Sequence, residues 1–334
     1  MGMGRREFLV RASGHGALLG ALGCVGEPDD RITIGAMPPG TSWYVFAATL
    51  AQLLQDAVPD GTSVEVIARG GAIGNPILVD RGDQTIALAQ AVTAAWAYRG
   101  DPAAYEREHR HLRALAGGLN RVWMAALMTE DYIERTGHET LGQALRSDEP
   151  IRIVMKPRGS IVPVVADMLL ESLGTSRAQI VERGGEIIQV TANQISAILR
   201  NGRADLYLES VIRGHPTVTE VATTTPVRFL DLPEDTIARL EGPGAERTPM
   251  PAWFRGQQGP LDSVDMGTVL IIHENAPEEL AYLVARTVCE QKDAMAQAHR
   301  AWEDFDPVQA ASLAKTGVRL HPGAAAYYRE RGWI

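Results

Sequence analysis

The chain has 334 residues, 45% of them hydrophobic and 22% charged, with a formal net charge of -9 and two cysteines. That length exceeds what one hydrophobic core usually covers, so two packed units are expected. Residues 1–23 carry a net +2 (Arg5, Arg6 and Arg11 against Glu7), which leaves -11 for the rest; this argues against a nucleic-acid partner, and two cysteines exclude a disulfide framework.

In chain order, Gly4-Arg5-Arg6-Glu7-Phe8-Leu9-Val10 places paired arginines ahead of a small, weakly apolar run ending at Cys24. Glycines at 14, 16, 20 and 23 disfavour an ordinary helix, so residues 1–23 read as a signal peptide of the twin-arginine type. Ala21-Leu22-Gly23-Cys24 resembles a lipoprotein cleavage box, with Cys24 as the lipidation site and Ala21 where the box usually begins with Leu. One acyl chain binds a membrane only marginally, so stable anchoring needs the multi-chain modification. The expected location is the periplasm or the outer face of the cytoplasmic membrane, with membrane contact only through that lipid. Cys289 lies in the apolar run Leu280 to Val288 and reads as a small buried residue. No later window reaches the roughly 18 apolar residues that a membrane span needs.

The fold begins at Arg31 to Gly35, a short strand, followed by a loop at 36–40 and a helix over Tyr44 to Leu54. The same grammar recurs with strand 63–68, loop 69–74 and a helix through Val79, then with strand 85–89, Gln90 and a helix through Tyr98. A second unit follows strand 122–128: strand 151–155, loop 156–160, helix 163–173, helix 195–201, strand 204–208, the Gly214-His215-Pro216 turn and strand 227–230. Residues 231–262 read as a long connection; strand 268–272, one helix over 278–299 and a helix near 322–331 complete the chain. The fold class is therefore α/β with mostly parallel sheets, in two lobes: 31–124 plus 261–334 as the first, 125–260 as the second. Loops leaving the carboxyl ends of strands would face a hinged cleft between them.

Several blocks, in order, resemble the TAXI family of solute receptors for tripartite (TRAP) transporters over about residues 31–334: Gly40-Thr41-Ser42-Trp43-Tyr44-Val45, Gly70-Gly71-Ala72-Ile73-Gly74-Asn75-Pro76, Gln90-Ala91-Val92, Pro157-Arg158-Gly159-Ser160, Gly214-His215-Pro216, and His321-Pro322-Gly323-Ala324 with Tyr327-Tyr328-Arg329-Glu330 and Gly332. The resemblance implies a two-lobed type II periplasmic-binding-protein fold. It also implies capture of a small organic acid or amino acid, glutamate-like in the family's usual case, and delivery to a TRAP-type membrane permease. Departures fall at pocket positions: Ser42 for Thr, Trp43 for Tyr, Ala72 for Ser, Ala91-Val92 for Ser-Asp, and Arg158 for Gly.

A carboxylate leaving water needs charge-assisted donors or several backbone N–H groups. Gly40, Gly71 and the helix starts behind them can supply N–H groups and a favourable dipole, although Gly70-Gly71 read locally as a turn. Trp43 and Tyr44 read either as an aromatic wall or as core, and Asn75 as a ligand contact or a helix cap. Gln90, just after a buried strand, is a ligand candidate. Arg158, with Gly159 and Ser160, could clamp a carboxylate with two parallel hydrogen bonds or simply lie on the surface. Glu209 and Arg213, near Gly214, could contact an amine or carboxylate or pair across the lobes. Asp304 and Asp306 read as helix-start caps. No cofactor, metal site or catalytic residue is implied. Two alternatives stand beside the receptor: a standalone sensor of the same fold, and an exported hydrolase using Ser160, for which no His/Asp partner is assignable.

Overall fold

The computed structural model describes residues 31–334; the expected signal and Cys24 lie outside the described residues. The strands are β1 (Arg31–Gly35), β2 (Ser63–Ile67), β3 (Ile86–Gln90), β4 (Leu112–Ala116), β5 (Trp123–Thr129), β6 (Arg152–Met155), β7 (Glu186–Gln189), β8 (Leu206–Val211), β9 (Val227–Leu230), β10 (Glu246–Arg247), β11 (Val264–Asp265) and β12 (Thr268–His273). They form two sheets. The first has the order β2-β1-β3-β12-β4, and the second has the order β10-β11-β5-β8-β6-β7 with β9 paired to β5.

Neither sheet is as parallel as the repeated strand–loop–helix pattern suggested. β1 pairs in parallel with β2 and β3, but β12 enters antiparallel between β3 and β4. In the second sheet, β6 pairs in parallel with β7 and β8, while β5 runs antiparallel to β8, β9 and β11. β12 and β5 are reached without a helical crossover: β12 follows β11 after two residues, Met266 and Gly267, and β5 follows β4 across 117–122. These are the two places where the chain passes from one sheet to the other.

Burial explains which strands sit centrally. In β3 (Ile86, Ala87, Leu88, Ala89, Gln90) every residue is buried, as a strand covered on both faces requires. β5 is likewise buried throughout, and its side chains alternate between cores: Met124, Ala126 and Met128 join the larger cluster, whereas Trp123, Ala125 and Leu127 join a smaller one with Ile195, Tyr207 and Val218. The larger cluster also holds the C-terminal segment, where Trp302 stacks on Phe46 at 4.3 Å between ring centres. Cys289 is buried, its Sγ 3.7 Å from the Tyr328 hydroxyl, and burial pushes its thiol up to about 11. Among the described residues no helix is long and apolar enough to cross a membrane.

Six helices begin at or just beyond the carboxyl ends of the parallel strands: α1 (Ser42–Gln55), α2 (Gly71–Asp80) and α3 (Ala91–Arg99) after β1, β2 and β3, and α4 (Val162–Ser172), α5 (Ala192–Arg200) and α6 (Pro216–Thr224) after β6, β7 and β8. The region expected as a single C-terminal helix is two, Glu278–Glu290 and Lys292–Ala298. The connection 231–262 contains a helix at Glu234–Leu240, with Pro233 before it and Glu234 and Asp235 in its first turn.

Candidate functional site

The loops at those strand ends meet in two adjoining cavities. The larger, of about 290 Å³, is walled by Met37, Pro38, Pro39 and Thr41 after β1, by Arg69, Gly70 and Gly71 after β2, by Lys156 to Ser160 after β6, and by Thr191, Ala192 and Asn193 after β7. The smaller, of about 40 Å³, lies among Met37, Thr41, Ser42, Trp43, Gln90, Val122, Lys156, Ser210, Ile212 and His215. Met37, Thr41 and Lys156 wall both.

The backbone there is arranged for close approach. Gly70, Gly71 and Gly159 have φ values of 94°, 67° and 98°, in the region where a side chain is strained. A Cβ on Gly71 would stand 2.7 Å from the Gly159 carbonyl oxygen, and that oxygen accepts the Ile73 N–H at 3.1 Å. The start of α2 is thus hydrogen-bonded to the loop after β6 from the other sheet. First-turn N–H groups have no acceptor within their own helix. Those of α2 and α5 therefore direct positive dipole ends at the larger cavity.

Charge agrees with that polarity. Arg69, Lys156 and Arg158 line the larger cavity and no carboxylate does. Arg69 and Arg158 are exposed. Lys156 is buried, and its Nζ lies 2.8 Å from Glu209 Oε1. Glu209 is fully buried and also accepts from the Tyr207 hydroxyl at 2.7 Å and the Ser210 N–H at 2.8 Å. Burial, the largest influence, pushes this carboxyl up, but the Lys156 charge and the hydrogen bonds from Lys156 and Tyr207 hold it below the usual range. His215 Nδ1 accepts the Val218 N–H at 3.3 Å, which places the ring proton on Nε2. Burial lowers His215 to about 4, assisted by Lys156 and opposed by Glu209, so the ring is neutral at pH 7.

Of the residues singled out in the sequence, Ser42, Trp43 and Gln90 line the small cavity, and Gly71, Arg158, Gly159 and Ser160 line the large one. Glu209 walls neither, but it pairs with Lys156, which walls both. Gly40, at φ 88°, is beside Asn193, a wall of the large cavity. Tyr44 is half-buried and walls neither. Gly214 also walls neither, but it provides the φ of 75° that precedes His215. Asn75 neither caps α2 nor reaches a cavity: it sits inside the helix, fully buried, and its Nδ2 donates to the Leu88 carbonyl at 2.8 Å, tying α2 to β3. Ser160 Oγ accepts the N–H of Val162, the first residue of α4, at 3.2 Å. Arg213 pairs with Glu303 at 2.6 Å. Asp306 closes a turn by accepting the Val308 N–H at 3.1 Å, where a helix start was expected.

Sequence reasoning set the loops that hold Arg69, Lys156 and His215 at the cleft without singling out these side chains, and it missed Asn193. Lys156 directly follows a buried strand, as Gln90 does, and that position was the available signal. His215 stood in the Gly-His-Pro turn already noted.

No curated protein matches the chain. Among solved structures, a TctC solute binding protein from Polaromonas has 15% identity and a TM-score of 0.52, over 91% of this chain and 98% of its own. XAC2383 from Xanthomonas citri bound to ATP has 12% identity and a TM-score of 0.50, over 91% and 99%. The periplasmic aliphatic sulphonate binding protein SsuA from Escherichia coli has 12% identity and a TM-score of 0.46, over 91% and 79%. The first two likenesses are of fold, and the chain shares that of the TctC solute binding protein over 91% of its length. A family model matches residues 34–332, nearly the whole described chain, and by that match the protein belongs to the NMT1-like family.

Proposed function

We propose that this chain is an extracytoplasmic solute receptor, a binding protein and not an enzyme, that captures a small organic anion between its two lobes and hands it to a membrane permease. The observation that carries the reading is the larger cavity: it lies between loops of the two sheets, holds two arginines with no carboxylate on its walls, and receives the N-terminal ends of α2 and α5. A carboxylate entering it exchanges water for N–H groups and guanidinium. The lobes built on the two sheets, joined across 117–122 and 266–267, close over the solute; the bond from Ile73 N–H to the Gly159 carbonyl, which links loops of the two sheets, supports that reading. The solute class is an organic acid or amino acid, the permease is of the TRAP type, and an N-terminal signal delivers the chain to the periplasm. A sensor of the same fold shares every one of these features except the permease.

Thermal unfolding of the purified protein against a panel of mono- and dicarboxylates and amino acids tests the reading. A solute at 100 times its Kd stabilises by about 2.7 kcal/mol. Replacing Arg158 and Arg69 together with Gln should weaken binding several-fold and reduce its dependence on salt. A folded protein that no anion stabilises, or that turns a solute over, overturns the proposal. Loss of uptake on deleting the permease, with binding intact, separates receptor from sensor.

A further inference from the structure

The small cavity holds an unmet demand. Gln90 Oε1 and Ser42 Oγ are buried without a hydrogen-bond partner, and both residues line it; Gln90 is only 4% exposed. Buried polar atoms in native proteins are nearly always paired, and leaving one unpaired costs about 1–3 kcal/mol. At about 40 Å³ the space accepts one group the size of a water or hydroxyl.

The walls define that group. Lys156 is the only formally charged residue among them, and no carboxylate faces the space; Glu209 is not a wall and is committed to Lys156. An ammonium placed here would lose its water beside a fixed cation with no anion to meet it. A carboxylate, two oxygens on one carbon, is larger than a space that holds one water-sized group. A hydroxyl fits: it donates to Gln90 Oε1 and accepts from Ser42 Oγ, and since it does both it is satisfied by either end of the Gln90 amide.

Resting on the receptor reading above, we propose that the solute is a hydroxy-substituted carboxylic acid. Its hydroxyl occupies the small cavity between Gln90 and Ser42, and its carboxylate lies in the adjoining larger cavity near Arg69 and Arg158. The three shared walls, Met37, Thr41 and Lys156, make the two spaces neighbours. The site thereby selects hydroxy acids over their amino and unsubstituted counterparts, narrowing the class that the larger cavity alone would admit.

Titration calorimetry with two matched sets of probes tests this: malate, succinate and aspartate, and lactate, propionate and alanine. In the set that binds, the hydroxy acid should be tighter than the unsubstituted acid and the amino acid by roughly 10- to 100-fold, the effect of pairing otherwise unpaired buried groups. Gln90→Leu, at the end of β3, and Ser42→Ala, at the start of α1, should each shrink the ratio of hydroxy to unsubstituted acid toward 2 or less. The ratio is the readout, whatever happens to absolute affinity, and the two substitutions lie on different elements so that one misfolded variant does not void the test. A ratio near one in the native protein, tightest binding of the amino acid, or a ratio unchanged in both variants overturns the inference. If succinate or propionate binds and the hydroxyl adds nothing, only this inference falls. If no probe binds the folded protein, the anion-receptor reading falls with it.

Discussion

Asp265 and Glu209 are both buried carboxyl groups near the junction of the two sheets, and the balance of their partners differs: two backbone N–H groups with a distant Arg121 for the first, and one backbone N–H with Lys156 and Tyr207 for the second. On the side where the chain crosses, Asp265 Oδ1 accepts the backbone N–H groups of Val122 at 2.9 Å and Gly267 at 3.0 Å. The crossing segments are themselves joined through the backbone, Met266 N–H to the Val122 carbonyl at 2.7 Å and Thr268 N–H to that of Asn120 at 3.1 Å. Below the cleft, Glu209 takes the Lys156 ammonium and the Tyr207 hydroxyl, and the neighbouring Ser42 and Gln90 atoms have no partner. Burial raises the Asp265 carboxyl, whereas Lys156 and its neighbours hold Glu209 down. Backbone bonds keep one geometry while the fold persists, but side-chain bonds exchange with a rotamer change. The crossing side is held mainly through backbone groups, and the floor of the cavities mainly through side chains.

The sharpest way to break that contrast is to remove the cation from the floor. Lys156→Met leaves Glu209 buried without its counter-charge and should cost about 3–5 kcal/mol in urea unfolding. Adding Glu209→Gln to that variant should restore most of the loss. Asp265→Asn keeps the oxygen that the two N–H groups need and removes a charge that burial already disfavours, so it should change stability by less than about 1 kcal/mol. Equal losses from Lys156→Met and Asp265→Asn would show that both carboxyls are held alike.

A second test reads the floor through pH. His215 binds a proton near pH 6.5 when unfolded and only at about 4 when folded, because it is buried beside Lys156 and His299, with Glu209 opposing them. Between those values the unfolded chain binds more protons, so stability is full above 6.5 and falls as pH drops toward 4, by an amount on the order of 3 kcal/mol. Glu209, held low, adds loss in the same direction below its unfolded value, and Asp265, held high, acts in the opposite sense over the acid range. Unfolding measured in steps from pH 7 to 4.5 should show that decline, and His215→Gln should flatten it. An unchanged slope in the variant would place the decline on other groups.

The alternation of short apolar strands with glycine loops was enough to set out β1 to β3, β6 and the helices that follow them, because each strand there is bounded by a turn residue such as Gly40 or Gly70. Of the loops that form the larger cavity, those after β1, β2 and β6 were legible for the same reason, and the one after β7 was not. β7 was not: Glu186-Ile187-Ile188-Gln189 is a short edge strand, mostly half-buried, whose identity comes from its pairing with β6. The break at Gln291 has no proline or glycine to announce it. The burial of Lys156 is not announced by its residue type, since a lysine ordinarily lies on the surface; it depends on Glu209, which is remote in sequence and adjacent only once β6 and β8 pair. Asn75 illustrates the converse, a polar residue in a glycine-rich block whose amide serves the packing of α2 on β3.

The smallest expected effect concerns the contact that joins the two sides of the cleft. Gly71 has φ 67°, and a Cβ there would stand 2.7 Å from the Gly159 carbonyl oxygen of the opposite loop. Gly71→Ala therefore adds backbone strain of about 1 kcal/mol that acts in any arrangement, together with a clash that exists only while the loops touch. The two components separate experimentally. Strain lowers the unfolding temperature of the solute-free protein, whereas the clash lowers affinity for the solute, by about tenfold if closure loses 1.4 kcal/mol, and widens the molecule in X-ray scattering with solute present. Gly159→Ala, whose Cβ would meet the Gly70 carbonyl oxygen at 3.3 Å, should do the same more mildly. If Gly71→Ala binds solute as tightly as the native chain, the contact between these loops does not take part in closure, and the cleft side is held by its side chains alone.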